Sequence, residues 1–216
     1  MSTWTFVSMV AKSHIIDEIR DNNHVNFNKL IPIDESLYEE RENGKVVPVE
    51  IALNHWGTKW HPDGYSTDLN EIHYSVASGD GYEIIKKLMD KYPDELIYFF
   101  CEYIEEVSGI YKNDHGIPEF SLFEPIYKKG RYEDSYIRNK DFLKRVQKLT
   151  ELIKRLENNQ VVNYKSFLKY DGLLLKYIPK QNLEIINIAL KNDKLAIKYV
   201  LDLDIKNKLA IIDKLE

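Results

Sequence analysis

The sequence has a single cysteine and lacks any long apolar segment. Cys101 stands alone among 216 residues, which excludes an internal disulfide and a cysteine-based zinc site. It lies in an apolar run, where a cysteine usually serves as a small buried hydrophobe rather than a nucleophile. No apolar run approaches the roughly 20 residues needed to cross a bilayer, and the N-terminus lacks the basic and then apolar pattern of a signal peptide. These absences predict a cytoplasmic protein that does not engage a membrane.

Motifs for metal binding and catalysis are also missing. The six histidines form no HxH, HExxH or H-x-E pattern, and His55 and His61 would lie roughly 20 Å apart in one extended strand. Gly79-Asp80-Gly81 precedes an expected helix without the lysine of a phosphate-binding loop, so a simple helix entry is favoured. The carboxylates and hydroxyls fall into no nucleophile–base pattern. We therefore predict that the chain has no metal, no cofactor and no enzymatic activity.

The two halves of the chain carry opposite charge. Residues 1–128 contain 11 Lys and Arg against 23 Asp and Glu, a net of -12, whereas residues 129–216 contain 19 against 12, a net of +7. Such a division indicates two modules with different surfaces. We assign residues 1–128 to the first module and residues 136–216 to a helical extension.

Hydrophobic patterning predicts that the first module is α+β. Residues 71–77 alternate cleanly between apolar and polar, as in a strand with one buried face, and residues 81–92 have the periodicity of an amphipathic helix. The nearly continuous apolar run at 96–104 is typical of a central strand. Further elements are expected as a strand at 4–10, a helix at 14–21 capped by Ser13, and an edge hairpin at 110–117. The order predicts a ferredoxin-like antiparallel sheet with two helices, followed by an all-helical C-terminal extension.

Two tryptophans four residues apart mark the segment at 54–60, Asn-His-Trp-Gly-Thr-Lys-Trp. In a strand, alternate side chains point to opposite faces. Trp56 and Trp60 would then share a buried face, while His55 and Lys59 would share the opposite one. We therefore expect both tryptophans to pack on the helix at 81–92.

An ordered series of motifs within residues 1–125 resembles one protein family. The series consists of Phe-Asn-Lys-Leu-Ile-Pro at 27–32, Trp-Gly-Thr-Lys-Trp at 56–60, a helix closing on Tyr-Pro at 92–93, and Glu-Tyr at 102–103. This order is similar to the YubB-type ferredoxin-like family, small proteins of phages, prophages and plasmids. The family's Trp-Ser-Pro-Pro after the third strand is replaced by Ala-Ser-Gly-Asp-Gly at 77–81, so the following loop should differ. The resemblance implies a ferredoxin-like fold and a mobile-element origin, without an established reaction.

The second half is expected to be helical. Residues 118–136 have the prolines and glycine of a linker, and residues 142–156 follow with three- and four-residue apolar spacing and basic residues between. A short repeat then places Leu-Leu-Leu-Lys-Tyr-Ile at 173–178 and Leu-Ala-Ile-Lys-Tyr-Val at 195–200, a period of 22 residues. Short helices of such a period pack as a small solenoid.

Two functional hypotheses remain open. In the first, the acidic module binds the basic surface of a host protein or ribonucleoprotein, for instance as an inhibitor of a host defence system, and its many tyrosines suit an interface. The predicted partner-binding residues are Glu102, Glu105, Glu106, His55, Lys59 and His73.

In the alternative, the chain is a nucleic-acid-binding accessory protein that uses its basic C-terminal helices. The predicted contacts are Arg138, Lys140, Lys144, Arg145, Lys148, Lys154 and Arg155. Base stacking on Tyr98, Phe100 or Tyr103 of an open sheet face is a further option, which the negative charge of the first module opposes.

Overall fold

The computed structural model describes residues 4–42, 44–103, 108–123 and 140–202. The chain divides into two compact units, residues 1–146 and residues 147–216. It is a mixed α+β protein with a large antiparallel sheet and several helices. Within the described ranges, no helix is both long and apolar enough to cross a membrane.

An eight-stranded antiparallel sheet organises the first unit. Its strand order is β10-β9-β8-β1-β7-β6-β3-β2. The strands are β1 Trp4–Val10, β2 Arg20–Asp21, β3 His24–Val25, β6 Asp63–Asp68, β7 Glu71–Ala77, β8 Tyr98–Tyr103, β9 Ser108–Asp114 and β10 Ile117–Phe123. Two short strands, β4 Glu39–Arg41 and β5 Gly44–Val46, form a separate hairpin. The strands expected at 4–10 and 71–77 and the central strand within 96–104 are therefore confirmed.

Three helices complete the core of this unit: α1 Ser13–Ile16, α2 Val49–Trp56 and α3 Tyr82–Lys91. Their apolar side chains form one buried cluster with the inward side chains of the central strands. The four apolar residues expected to line the buried side of α3, namely Ile84, Ile85, Leu88 and Met89, are fully buried, as is Ile72 of β7. The first helix is shorter than expected, and Lys12 rather than Ser13 occupies its N-cap position.

Residues 54–60 do not form the expected strand. Residues 54–56 end α2, and Gly57 terminates the helix in the left-handed region at φ 71°, where its N–H donates to Leu53 O at 3.0 Å. Trp56 is fully buried and its indole N–H donates to Ile31 O at 2.9 Å, whereas Trp60 is 46% exposed. The tryptophans therefore do not share a face, because the helix ends between them.

The edge hairpin is longer than expected. His115 and Gly116 both have positive φ in the turn, a geometry that matches the twist of flanking strands. Residues 118–123 continue β10 instead of beginning a linker, so this part of the linker prediction is wrong. Pro118 is compatible with β10 because that strand forms the edge of the sheet. The remainder of the expected linker, 124–136, lies outside the described residues.

All the regular structure described between residues 140 and 202 is helical. It comprises α4 Lys140–Glu157, α5 Leu183–Asn192 and 3₁₀ helices at Tyr164–Phe167, Gly172–Tyr177 and Lys194–Tyr199. The last two 3₁₀ helices correspond to the 22-residue repeat. Each starts at a buried aspartate whose carboxylate accepts the N–H two residues on at 3.0 Å: Asp171 from Leu173 and Asp193 from Leu195.

The Gln181 side chain joins the two copies of the repeat. Its amide donates to Leu175 O and Ile178 O in the first copy and to Tyr199 O in the second, while its carbonyl accepts from Leu201 N. Each copy contributes a short 3₁₀ helix rather than an α-helix. Residues 203–216 lie outside the described residues, and with them the apolar stretch at 209–215.

Candidate protein-binding surface

The sheet of the first unit has a second face, opposite the helices. Strand register identifies its members, because directly paired residues point to the same side. One row across the sheet runs through Phe100, Ser8, His73, Tyr65 and His24. The next row runs through Glu102, Phe6, Ser75 and Asp63.

Four exposed aromatic side chains lie on or beside this face. Trp4 is 40% exposed, Phe6 37% and Tyr65 61%, and Trp60 places its ring centroid 6.0 Å from that of Trp4. We call Trp4, Phe6, Trp60 and Tyr65 the aromatic surface. Large exposed aromatic side chains gathered in one region are typical of an interaction site, because their apolar area is favourable to bury against a partner.

Four strands of this face carry charge of one sign, while Lys112 of β9, paired in register with Tyr98, is buried. The formally charged residues that β1, β6, β7 and β8 place there are all acidic: Asp63, Asp68, Glu71 and Glu102. Exposed aromatic rings and carboxylates together suit a cationic surface, since Lys and Arg pair with carboxylates and also stack on ring faces. The same carboxylates oppose the approach of phosphate.

His73 lies in a hydrogen-bonded chain on this face. Its Nε2–H donates to Glu71 Oε1 at 3.2 Å, and its Nδ1 accepts the Ser8 hydroxyl at 2.8 Å. The order serine, histidine, carboxylate is that of an activated nucleophile. Ser8 is nearly buried, however, and β1 pairs with strands on both sides at this position. The backbone of Ser8 therefore pairs within the sheet and does not offer an N–H group to an oxyanion. The hydrogen bonds from Ser8 and to Glu71 are suited to orienting the imidazole ring of His73.

The structure brings together some of the predicted partner-binding residues. His73 and Glu102 lie on the same sheet face. His55 instead lies on α2, where its Nδ1–H donates to Ile51 O at 3.0 Å, and Lys59 follows the helix with its backbone N–H bonded to Ala77 O. The prediction that His55 and Lys59 lie on the same sheet face as His73, which assumed a strand at 54–60, is therefore wrong. Glu105 and Glu106 lie outside the described residues.

Sequence reasoning missed the aromatic surface. Trp4 and Phe6 alternate with inward Thr5 and Val7, and this alternation is the signal that identifies them. Trp60 was expected to be buried, because the segment was assigned to a strand. Tyr65 was given no role from the sequence, and the pairing of β6 with β7 makes it an exposed strand residue.

Part of the second face is buried. Tyr98 and Phe100 of β8 are at most 1% exposed, and Val10 of β1 and Ile110 of β9 are fully buried. The expectation that Tyr98 and Phe100 could stack nucleic-acid bases is therefore wrong, since their rings are inaccessible. Nothing is described of the Tyr103 side chain.

The basic residues predicted for nucleic-acid binding are partly engaged with acidic neighbours. On α4, Glu151 accepts from Lys148 at 2.7 Å and from Arg155 at 2.5 Å. The hydrogen bond to Glu151 raises the pKa of Lys148. In turn, Lys148, together with Arg155, lowers the pKa of Glu151. Lys144 is exposed, and Arg145 and Lys154 are half-buried. Arg138 lies outside the described residues, and the structure describes only the backbone of Lys140.

Among the described residues, no three His, Cys, Asp or Glu side chains cluster so as to hold a metal ion. Cys101 is fully buried, and burial raises the pKa of its thiol well above the usual value, with Asp80 adding to the shift.

Comparisons of the chain with protein-family models, with curated proteins and with solved structures found no match.

Proposed function

We propose that the chain is a non-catalytic, cytoplasmic protein whose aromatic surface binds the basic surface of another protein. The observation that carries this proposal is the combination of four exposed aromatic side chains, on or beside one sheet face, with acidic charge on that face. Burying one large aromatic side chain contributes about 1.5–3 kcal/mol, so a few such anchors suffice for a specific interface. The carboxylates around them would favour a cationic partner and slow the approach of anionic ones.

The proposal includes a ferredoxin-like identity for the first unit. The central strands lie in the order β8-β1-β7-β6 with antiparallel neighbours, and α1 and α3 join them in the sequence β-α-β-β-α-β. This order agrees with the motifs that resemble the YubB-type family. If that lineage holds, the partner is a host protein or ribonucleoprotein met by a phage or another mobile element, and inhibition of a host defence system is one role for such a contact.

Nucleic-acid binding through α4 is less well supported. Two of its cations already pair with Glu151, and no exposed aromatic side chain on α4 is described beside them. The two hypotheses differ sharply in their dependence on nuclease treatment and on surface substitutions.

Affinity capture from the natural host, carried out in parallel with and without nuclease digestion, tests the proposal. The wild-type chain should retain a specific protein with a basic surface, and Tyr65→Ser should lose it because it removes the most exposed member of the aromatic surface. Val161→Ser is the matched control, since Val161 is 97% exposed in the second unit. Recovery of RNA or DNA alone, or equal retention by Tyr65→Ser, would contradict the proposal.

A further inference from the structure

A pocket of about 360 Å³ lies at the outer edge of the sheet. The β2–β3 hairpin contributes Asp21 and His24 to its wall, the segment before β6 contributes His61, and β6 itself contributes Asp63. His24 and Asp63 are paired in register with Tyr65 and Ser75, so both belong to the second face. The pocket is therefore continuous with the aromatic surface at Tyr65.

A histidine ring forms one flat side of this pocket. The planes of the Trp56 and His61 rings are perpendicular, with 5.3 Å between their centroids, and Asn26 Oδ1 lies 3.3 Å from His61 Nε2. These contacts fix the ring plane. Burial lowers the pKa of His61, and the hydrogen bond to the Pro62 carbonyl opposes this shift.

The two carboxylates of the pocket have no cationic partner among the described residues. Asp21 accepts only weak hydrogen bonds, from the side-chain amides of Asn22 and Asn26, each at 3.3 Å. The Asp63 carboxylate makes no hydrogen bond or ion pair with any described residue. An occupant that brings positive charge would therefore be favoured, and an anion would be repelled.

We propose that this pocket holds the guanidinium group of an arginine from the basic partner. The inference rests on the proposed function and specifies the side chain that the partner inserts. A guanidinium is planar, so it can stack on the His61 ring while its several N–H groups reach carboxylates on different sides. The compact ammonium of lysine lacks both properties. The volume corresponds to a small ligand site and is sufficient for one long side chain.

The experiment uses acetylargininamide as the probe and follows the backbone amides of the 15N-labelled full chain by NMR. Asn22 and Gly64, which line the pocket, should show saturable shifts. Acetyllysinamide should bind at least about tenfold more weakly because it cannot pair bidentately. Acetylcitrullinamide has nearly the same shape without the charge and should give no saturable shift.

Matched variants test whether the carboxylate of the pocket is responsible. Asp63→Asn should abolish the saturable shifts, whereas Asp94→Asn should preserve them, because Asp94 is exposed outside the pocket. The remaining amides of both variants should keep wild-type positions, which verifies folding. Absence of saturable shifts with acetylargininamide, equal shifts with acetylcitrullinamide, or unchanged binding by Asp63→Asn would overturn the assignment.

The outcome separates this inference from the proposed function. A chain that binds acetylargininamide as expected, but binds no basic protein, would refute the proposed function and support a guanidinium site. A chain that captures a basic protein equally well with Asp63→Asn would overturn the arginine assignment and leave the proposed function standing.

Discussion

Replacing Trp56 by alanine is expected to destabilise the first unit far more than the same change at Trp60. Trp56 is fully buried, its ring meets Phe27 edge-on at 6.4 Å, and its N–H is bonded to Ile31 O. Removing a buried Trp side chain costs about 3–5 kcal/mol, a large fraction of a typical unfolding free energy. Trp60 is 46% exposed, so its removal should cost no more than about 1 kcal/mol.

The assay is equilibrium unfolding in urea, followed by tryptophan fluorescence. All three tryptophans lie within residues 1–60, so the signal reports on the first unit, and two remain in each variant. Trp56→Phe provides an intermediate case: it retains most of the apolar volume and loses the hydrogen bond, for a cost of about 1–3 kcal/mol. Equal losses for Trp56→Ala and Trp60→Ala would refute the reasoning, since they would place both side chains in one environment.

Gly57→Ala should lower the unfolding free energy by about 1 kcal/mol or more, because φ is 71° and a Cβ would lie 3.0 Å from a backbone nitrogen at the start of α3; wild-type stability in urea would contradict this geometry. Burial raises the pKa of Glu18, but hydrogen bonds from Lys91 and Tyr92 outweigh burial, so the pKa is lowered overall. The Glu18 carboxylate should therefore contribute stability that is complete above its usual pKa of 4.5 and is lost as the pH falls below that value. The stability gap between wild type and Glu18→Gln should therefore narrow on acidification, and a gap independent of pH would contradict the assignment. Asp171→Ala should lower the unfolding free energy by about 1 kcal/mol, because it removes the cap of the first repeat. Asp171→Asn should lower the unfolding free energy less, because asparagine keeps an acceptor. Circular dichroism during urea unfolding distinguishes the two variants, and equal losses would exclude the cap as the cause.

Elements with one unambiguous period were predictable from the sequence. The residues of β7 alternate without interruption, and Ile84, Ile85, Leu88 and Met89 of α3 have helical spacing, so both elements and their buried sides are as expected. Each pattern has only one secondary structure that buries its apolar residues together.

The segment at 54–60 was mispredicted because its spacing is compatible with two structures. Residues four apart share a side in a strand, and they are also neighbours on a helix. The boundaries carried the deciding information: Pro48 precedes the helix and Gly57 terminates it. Pro118 was interpreted as part of a linker, but it lies in β10. A proline usually interrupts a sheet and is tolerated on its edge strand.

The candidate site was predictable only in part. Parity along β7 predicted that His73 faces away from the core, but that Glu102 lies on the same face depends on strand order. Tyr65 joins them because β6 pairs with β7, a long-range contact that local patterning does not contain. The burial of Tyr98 and Phe100 on that same face agrees with the nearly continuous apolar run at 96–104, which is typical of a strand covered on both faces.

The most direct test of the protein-binding proposal is the affinity of the purified chain for the captured basic protein, measured by calorimetry at two salt concentrations. Wild type and Val161→Ser should bind equally and more weakly at high salt, as expected for opposite charges. Tyr65→Ser should lose at least about tenfold in affinity, as expected on removal of an interface anchor. Equal affinity of wild type and Tyr65→Ser, or an affinity independent of salt, would contradict binding through the acidic aromatic face of the sheet.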